Sequence, residues 1–122
     1  MLTFNDLSTA NLSRGNRWHK NGLQDWTTSD WAIAMAGESG EVCNTVKKLN
    51  RLRSEMKNIN SHDQVSSEEE AISRIGEEIA DTIIYSDLLA QSLGLNLADE
   101  IVKKFNFISE RYGFPEKLQK IV

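Results

Sequence analysis

Apolar residues recur at helical spacing along most of this chain, and this periodicity constrains the fold more than any other feature. Ile72, Ile75, Ile79 and Ile83 lie three or four positions apart, as on one face of an α-helix. No stretch of more than four residues alternates β-branched or aromatic side chains with polar ones, so a sheet is not expected. The one proline, Pro115, lies near the C-terminus and leaves little to interrupt long helices. The sequence therefore predicts an all-α protein.

Local signals at the helix ends divide the chain into four main helices. Ser67 and Glu70 have the spacing of a capping box, and Asn96 is a typical N-cap residue. Gly94 and Gly113 are natural C-terminal stops. The predicted helices cover about residues 3–18, 28–53, 67–93 and 96–113, with a loop at 19–28 and a linker at 54–66.

The third predicted helix is apolar around much of its circumference, because Ile84, Leu88 and Leu89 widen the isoleucine face. Such a helix is expected to lie centrally and to be contacted from more than one side. We therefore expect a four-to-five-helix bundle, with residues 1–122 as a single domain whose core is completed by oligomerisation.

Composition excludes several classes of function. The 122 residues carry 14 Lys and Arg against 18 Asp and Glu, a net charge of −4, which disfavours binding to duplex nucleic acid. No apolar stretch approaches the roughly 18 residues that a membrane span needs. A single cysteine, Cys43, cannot form an internal disulfide, and Asp6 near the N-terminus does not fit a signal peptide. Together these features predict a cytoplasmic protein.

Two of the predicted helices each carry two carboxylates three residues apart: Glu38 and Glu41 on the second helix, and Glu78 and Asp81 on the third. This spacing places both members of a pair on one helix face. Burying such groups without partners is costly, and a hard divalent cation such as Mg²⁺ is the simplest compensation. Glu77 lies four residues before Asp81 and could replace or support Glu78.

Two carboxylates three residues apart on a helix usually lie on a solvated face. The residues around these two pairs distinguish them from that common case. Both lie in apolar surroundings. Gly37 directly precedes the first pair and Gly40 lies within it, and each glycine costs about 1 kcal/mol inside a helix. We therefore expect a helix or a ligand to approach closely there. A di-iron bundle would need Glu-x-x-His motifs, but His19 and His62 fall in predicted loops.

The motifs Glu-Ser-Gly-Glu at 38–41 and Glu-Ile-Ala-Asp at 78–81, with their flanking residues, resemble the MazG family of all-α nucleotide pyrophosphohydrolases. The likeness covers roughly residues 17–118 and includes the segments 31–44, 46–49, 77–82, 104–106 and 109–115. It implies hydrolysis of a nucleoside triphosphate between the α and β phosphates, to a monophosphate and pyrophosphate. It also implies Mg²⁺, or Mn²⁺, held by Glu38, Glu41, Glu78 and Asp81, a homodimer or homotetramer, and a role in nucleotide-pool house-cleaning. The full-length housekeeping enzyme has two tandem domains, so its substrate preference is not carried over.

Other residues are candidates for contact with the nucleotide, although a surface charge or core packing is an open alternative for each of them. Basic and amide side chains could contact phosphates or polar groups, and tryptophan could stack on a base. The candidates are Lys48, Lys104, Asn106, Arg111, Trp31, His19 and Trp26. Tyr85, one turn after Asp81, could face the same pocket or pack in the core.

A second hypothesis comes from another class of function. The chain could be a non-catalytic helical module that senses nucleotides or binds a partner protein. An enzyme should lose its activity when Glu41 or Asp81 is replaced by the corresponding amide. A module that recognises its partner through another surface should keep its affinity.

Overall fold

The computed structural model of the protein describes residues 1–54 and 65–119. Within them the chain forms four α-helices and one short 3₁₀ helix, without a strand, and the all-α prediction is confirmed. The helices are α1 (Phe4–Trp18), α2 (Thr28–Arg53), α3 (Glu68–Ser92) and α4 (Leu97–Tyr112). Most of the predicted linker, at 55–64, lies outside the described residues, and so does His62.

The start of α3 shows how local chemistry sets a helix boundary. The Ser67 hydroxyl accepts a hydrogen bond from the backbone N–H of Glu70 at 3.1 Å, as the predicted capping box requires. The reciprocal bond differs from the prediction, because the Glu70 carboxylate accepts from the backbone N–H and the hydroxyl of Ser66. These two hydrogen bonds also lower the pKa of Glu70. At the other end of the chain, Gly113 ends α4 in the left-handed conformation that glycine tolerates best.

The described chain groups into two compact units. Residues 1–28 and 86–119 form one, here called the terminal unit, and residues 29–54 and 65–85 form the other, the central unit. α3 contributes to both. The single domain over residues 1–122 stays a prediction.

In the terminal unit, a glycine inside α1 allows a close approach. A Cβ on Gly15 would lie only 2.8 Å from a methyl carbon of Leu23, and both residues are buried. Leu23 belongs to a 3₁₀ helix, Gly22–Asp25, within the segment predicted as loop. The carboxylate of Asp25 supports this turn by accepting from the backbone N–H of Asn21 at 3.0 Å.

A buried carboxylate connects α1 to the end of α3 in the same unit. Asp87 is fully buried and accepts hydrogen bonds from the hydroxyl of Ser8, from Asn11 Nδ2 at 2.9 Å and from Gln91 Nε2 at 2.8 Å. Three neutral donors thus replace the water that a buried carboxylate would otherwise need. This network had no counterpart in the sequence analysis.

In the central unit, α2 runs antiparallel to the first part of α3. Residues near the C-terminal end of α2 contact residues near the start of α3, and residues near the start of α2 contact residues further along α3. The pairs, in order, are Arg53 with Glu68 at 3.2 Å, the cluster of Leu49, Ala71 and Ile75, Thr45 with Glu78, and Trp31 with Tyr85. This register brings the two acidic motifs to the same level of the unit.

Part of the expected burial is not reached within the single chain. Ile72, Ile79 and Ile83 are 52%, 49% and 40% exposed, so the isoleucine face of α3 is left open within the single chain. A Cβ added at Gly37 or Gly40 would meet no described atom within 4 Å, so no described helix of this chain approaches closely there, and the approach of a ligand stays a prediction. None of the described helices combines the length and apolarity required to cross a membrane.

Candidate functional site

The two acidic motifs line one cavity of about 360 Å³ in the central unit. α2 and α3 each supply one face of the cavity, because each motif places its two carboxylates one turn apart on one side of its helix. The lining residues are Glu38, Glu41, Asn44, Thr45, Lys48, Arg74, Glu77, Glu78 and Asp81. All four carboxylates singled out in the sequence therefore belong to the same cavity.

Glu78 is the most deeply placed of these acids. It is only 8% exposed, and its Oε1 accepts a hydrogen bond from the Thr45 hydroxyl at 2.9 Å. Its other oxygen, Oε2, is buried with no hydrogen-bond partner among the described residues. Glu77 also lines the cavity but is exposed. The difference favours Glu78 over Glu77 as the functional carboxylate, because an orphaned buried oxygen needs a donor or a cation.

The other acids are less buried than the sequence suggested. Glu38 is half-buried, whereas Glu41 and Asp81 are exposed. The four groups nevertheless interact electrostatically. Burial raises the pKa of Glu38, and the negative charges of Asp81, Glu41 and Glu78 raise it further. A cation in the cavity would relieve this repulsion.

The donor set suits a hard cation, but the geometry is not that of a closed metal site. Carboxylate oxygens are the ligands that Mg²⁺ takes in proteins, and the orphaned Oε2 of Glu78 fits this chemistry. In the part of the chain that the structure describes, however, no group of three or more His, Cys, Asp or Glu side chains is arranged to hold a metal ion. Repulsion among four uncompensated carboxylates is a sufficient reason for them to stay apart.

Two basic residues border the same acids. Lys48 was among the sequence candidates and is half-buried in the cavity lining. Arg74 was not predicted; it lies one turn before Glu78 on α3, with its guanidinium 3.8 Å from Glu70. The four-residue spacing between Arg74 and Glu78 was a usable sequence signal. An acidic cavity bordered by two cations can hold a metal ion together with a polyanion.

The pKa shift of Glu38 predicts how stability depends on pH. A raised pKa means that folded, metal-free protein keeps this proton to higher pH than unfolded protein does. Its contribution to stability is therefore complete below the ordinary glutamate pKa and is lost as pH rises through the raised pKa. Glu38→Gln should flatten this fall in the free energy of unfolding, measured by urea denaturation in chelator over a pH series. The control is Glu69→Gln, which replaces an exposed acid on α3. If the free energy of unfolding falls with pH as steeply in Glu38→Gln as in wild type, the electrostatic account is contradicted.

Three of the sequence candidates lie on α4, in the terminal unit, where each has a local partner. The Lys104 ammonium lies 5.3 Å from the ring centre of Phe107, and the Arg111 guanidinium lies 5.6 Å from that of Tyr112. The Asn106 side chain accepts from the backbone N–H of Leu118 at 2.7 Å and donates to its carbonyl at 2.9 Å. In this structure Asn106 thus fastens the C-terminal segment to α4.

Of the aromatic candidates, Trp31 is packed in the core, whereas His19 and Trp26 lie where a ligand could reach them. Trp31 is 2% exposed and packs against Tyr85 with ring centres 6.4 Å apart, so its ring is not accessible to a base in this structure. Tyr85 likewise has a packing role. His19 and Trp26 make an edge-to-face contact at 5.3 Å, and Trp26 lines a cavity of about 610 Å³ in the terminal unit.

Comparisons of this chain with protein-family models, curated proteins and solved structures found no match. The likeness to MazG enzymes therefore depends on the sequence motifs alone.

Proposed function

We propose that the protein is a Mg²⁺-dependent pyrophosphohydrolase that cleaves nucleoside or deoxynucleoside triphosphates between the α and β phosphates. The observation that carries this proposal is that Glu38, Glu41, Glu78 and Asp81 line one cavity together with Lys48 and Arg74. The motif resemblance to MazG enzymes supplies the reaction class. A role in nucleotide-pool house-cleaning and a cytoplasmic location belong to the same proposal.

Each part of the cavity has a task in this reaction. The four carboxylates would hold Mg²⁺, for which Mn²⁺ could substitute, and the bound cation would neutralise phosphate charge. Lys48 and Arg74 line the same cavity as the acids, and they would contact the outer phosphates and stabilise charge that develops during cleavage. Glu41 and Asp81 are exposed and can accept a proton from an attacking water molecule. The products would be a nucleoside monophosphate and pyrophosphate.

The proposal includes a homodimer or homotetramer. Ile72, Gly76, Ile79 and Ile83 are spaced by three or four residues on α3, and the three isoleucines are exposed. A Cβ at Gly76 would meet no described atom within 4 Å, so this apolar stripe is open to a second copy of the chain. Its burial would also satisfy the expectation that α3 lies centrally in a bundle.

A charge in the apolar stripe should disrupt this assembly. Wild-type protein should sediment as a dimer or tetramer, and Ile79→Asp should shift it towards the monomer, because a carboxylate is costly to bury. Leu95→Asp is the matched control, since Leu95 is 45% exposed but lies outside the stripe. Sedimentation velocity at the concentration of the activity assay measures the result. A monomeric wild type would contradict this part of the proposal.

One observation favours the second hypothesis, a non-catalytic binding module. The described carboxylates are not arranged as a metal-binding group within the single chain. Nucleotide affinity and turnover, measured on Asp81→Asn and wild type, separate the two functions. Metal-dependent turnover by wild type that is lost in Asp81→Asn supports the enzyme. Nucleotide binding without turnover, retained in Asp81→Asn, supports the module.

A further inference from the structure

Thr45 is a buried polar residue of α2 whose role the proposed reaction leaves open. It is 3% exposed and lies four residues after Glu41, within the lining of the acidic cavity. A threonine inside a helix often donates its hydroxyl hydrogen to a carbonyl one turn back in its own helix. Here it donates instead across to α3, to Glu78 Oε1 at 2.9 Å. The residue therefore acts on a carboxylate of the site and not on its own backbone.

This hydrogen bond makes the two oxygens of Glu78 unequal. Oε1 is engaged by Thr45, whereas Oε2 is buried and has no hydrogen-bond partner among the described residues. The backbone carbonyl of Glu78 is also engaged, by the Thr82 hydroxyl at 2.9 Å. Glu78 is thus held at the backbone and at one oxygen, and Oε2 is the oxygen left without a protein donor to compete with a cation.

We propose that Thr45 is a positioning residue that makes Glu78 a one-oxygen ligand and so sets the site's preference for Mg²⁺ over Ca²⁺. Mg²⁺ requires a compact, near-octahedral shell, whereas Ca²⁺ accepts six to eight oxygens in a flexible geometry and binds carboxylates through one or both of their oxygens. A carboxylate with one oxygen already engaged suits the smaller ion. The inference rests on the proposed function, since it assumes that the acidic cavity binds a divalent cation.

Two substitutions separate this role from simple packing. Thr45→Val keeps the shape of the side chain and removes the hydroxyl, whereas Thr45→Ser keeps the hydroxyl and removes a methyl group. If Thr45 only fills space, Thr45→Val should resemble wild type. If the hydroxyl positions Glu78, Thr45→Ser should resemble wild type and Thr45→Val should not.

The experiment is titration calorimetry of full-length wild-type and variant protein with Mg²⁺ and, separately, with Ca²⁺, in the absence of nucleotide. Partners that orient metal ligands typically change affinity about 10- to 100-fold, so the ratio of the Ca²⁺ to the Mg²⁺ dissociation constant should fall by about tenfold in Thr45→Val. Thr45→Ser should keep the wild-type ratio. Thermal melting in chelator checks that each variant is folded, and Thr45→Ala replaces Thr45→Val if the valine variant does not fold.

An unchanged ratio in the variant that lacks the hydroxyl, while wild type binds Mg²⁺, would overturn the role of Thr45 and leave the proposed function standing. A ratio that falls equally in Thr45→Ser would also overturn it, because the hydroxyl is then not responsible. If wild-type protein binds neither ion, the proposed metal site is contradicted, and this inference fails with it.

Discussion

Glu78→Gln is expected to lower Mg²⁺-dependent turnover by about 100-fold or more, since even residues that only orient a metal ligand commonly contribute about 10- to 100-fold. Glu78 is the buried acid of the cavity, and its orphaned oxygen has the clearest need for a cation. Glutamine keeps the size of the side chain and the acceptor for Thr45, so the loss would reflect the missing charge. Initial rates at saturating Mg²⁺, with a melting curve for each protein, measure the effect.

The matched control for this prediction is Glu69→Gln. Glu69 is also on α3, but it is exposed and lies outside the cavity lining. Turnover by the Glu69→Gln protein should therefore stay near that of wild type. Glu77→Gln tests which of the two neighbouring glutamates is the functional one, because Glu77 lines the cavity without being buried. Turnover in Glu78→Gln within a few-fold of wild type, together with loss in Glu77→Gln, would move the functional role to Glu77.

Trp31→Ala should lower the free energy of unfolding by about 3–5 kcal/mol, the usual cost of truncating a large buried aromatic residue. Trp31 is 2% exposed and packs against Tyr85, so its removal leaves a cavity between α2 and α3 in the central unit. Urea denaturation followed by circular dichroism, in chelator, measures the change without a contribution from bound metal.

Trp18→Ala is the control for the packing prediction. Trp18 is 71% exposed, and the Arg14 guanidinium lies 5.0 Å from its ring centre. Loss of this exposed contact should cost about 1 kcal/mol or less. A small effect of Trp31→Ala, comparable with that of Trp18→Ala, would contradict the packing role of Trp31 and return it to the candidates for base stacking.

Helix positions were predictable from the sequence because their signals are local. The predicted start of the second helix at Thr28 or Ser29 and its end near Arg53 agree with the observed α2, Thr28–Arg53. The N-cap at Asn96 was likewise predicted, and its side chain accepts from the backbone N–H of Asp99 at 3.0 Å. The 3₁₀ helix at Gly22–Asp25 was not predicted, because a single short turn leaves no periodic pattern.

The four acids of the candidate site and Lys48 were predictable from the sequence, whereas the role of Thr45 was not. A three-residue spacing on each helix is enough to place Glu38 beside Glu41, and Glu78 beside Asp81. The pairing of Thr45 with Glu78 depends on the register between α2 and α3, which side-chain packing decides. The exposure of Ile79 and of Gly40 was also beyond prediction, because periodicity identifies an apolar face without identifying what covers it.

The most direct test of the proposed function is the identity of the products. The protein, with Mg²⁺ or with chelator, is incubated with a panel of ribonucleoside and deoxyribonucleoside triphosphates, and the products are followed by ³¹P NMR. We predict a nucleoside monophosphate and pyrophosphate in equal amounts, formed only with the metal, for at least one member of the panel. A nucleoside diphosphate with orthophosphate, or no product from folded protein with Mg²⁺ present, would contradict the proposed cleavage between the α and β phosphates.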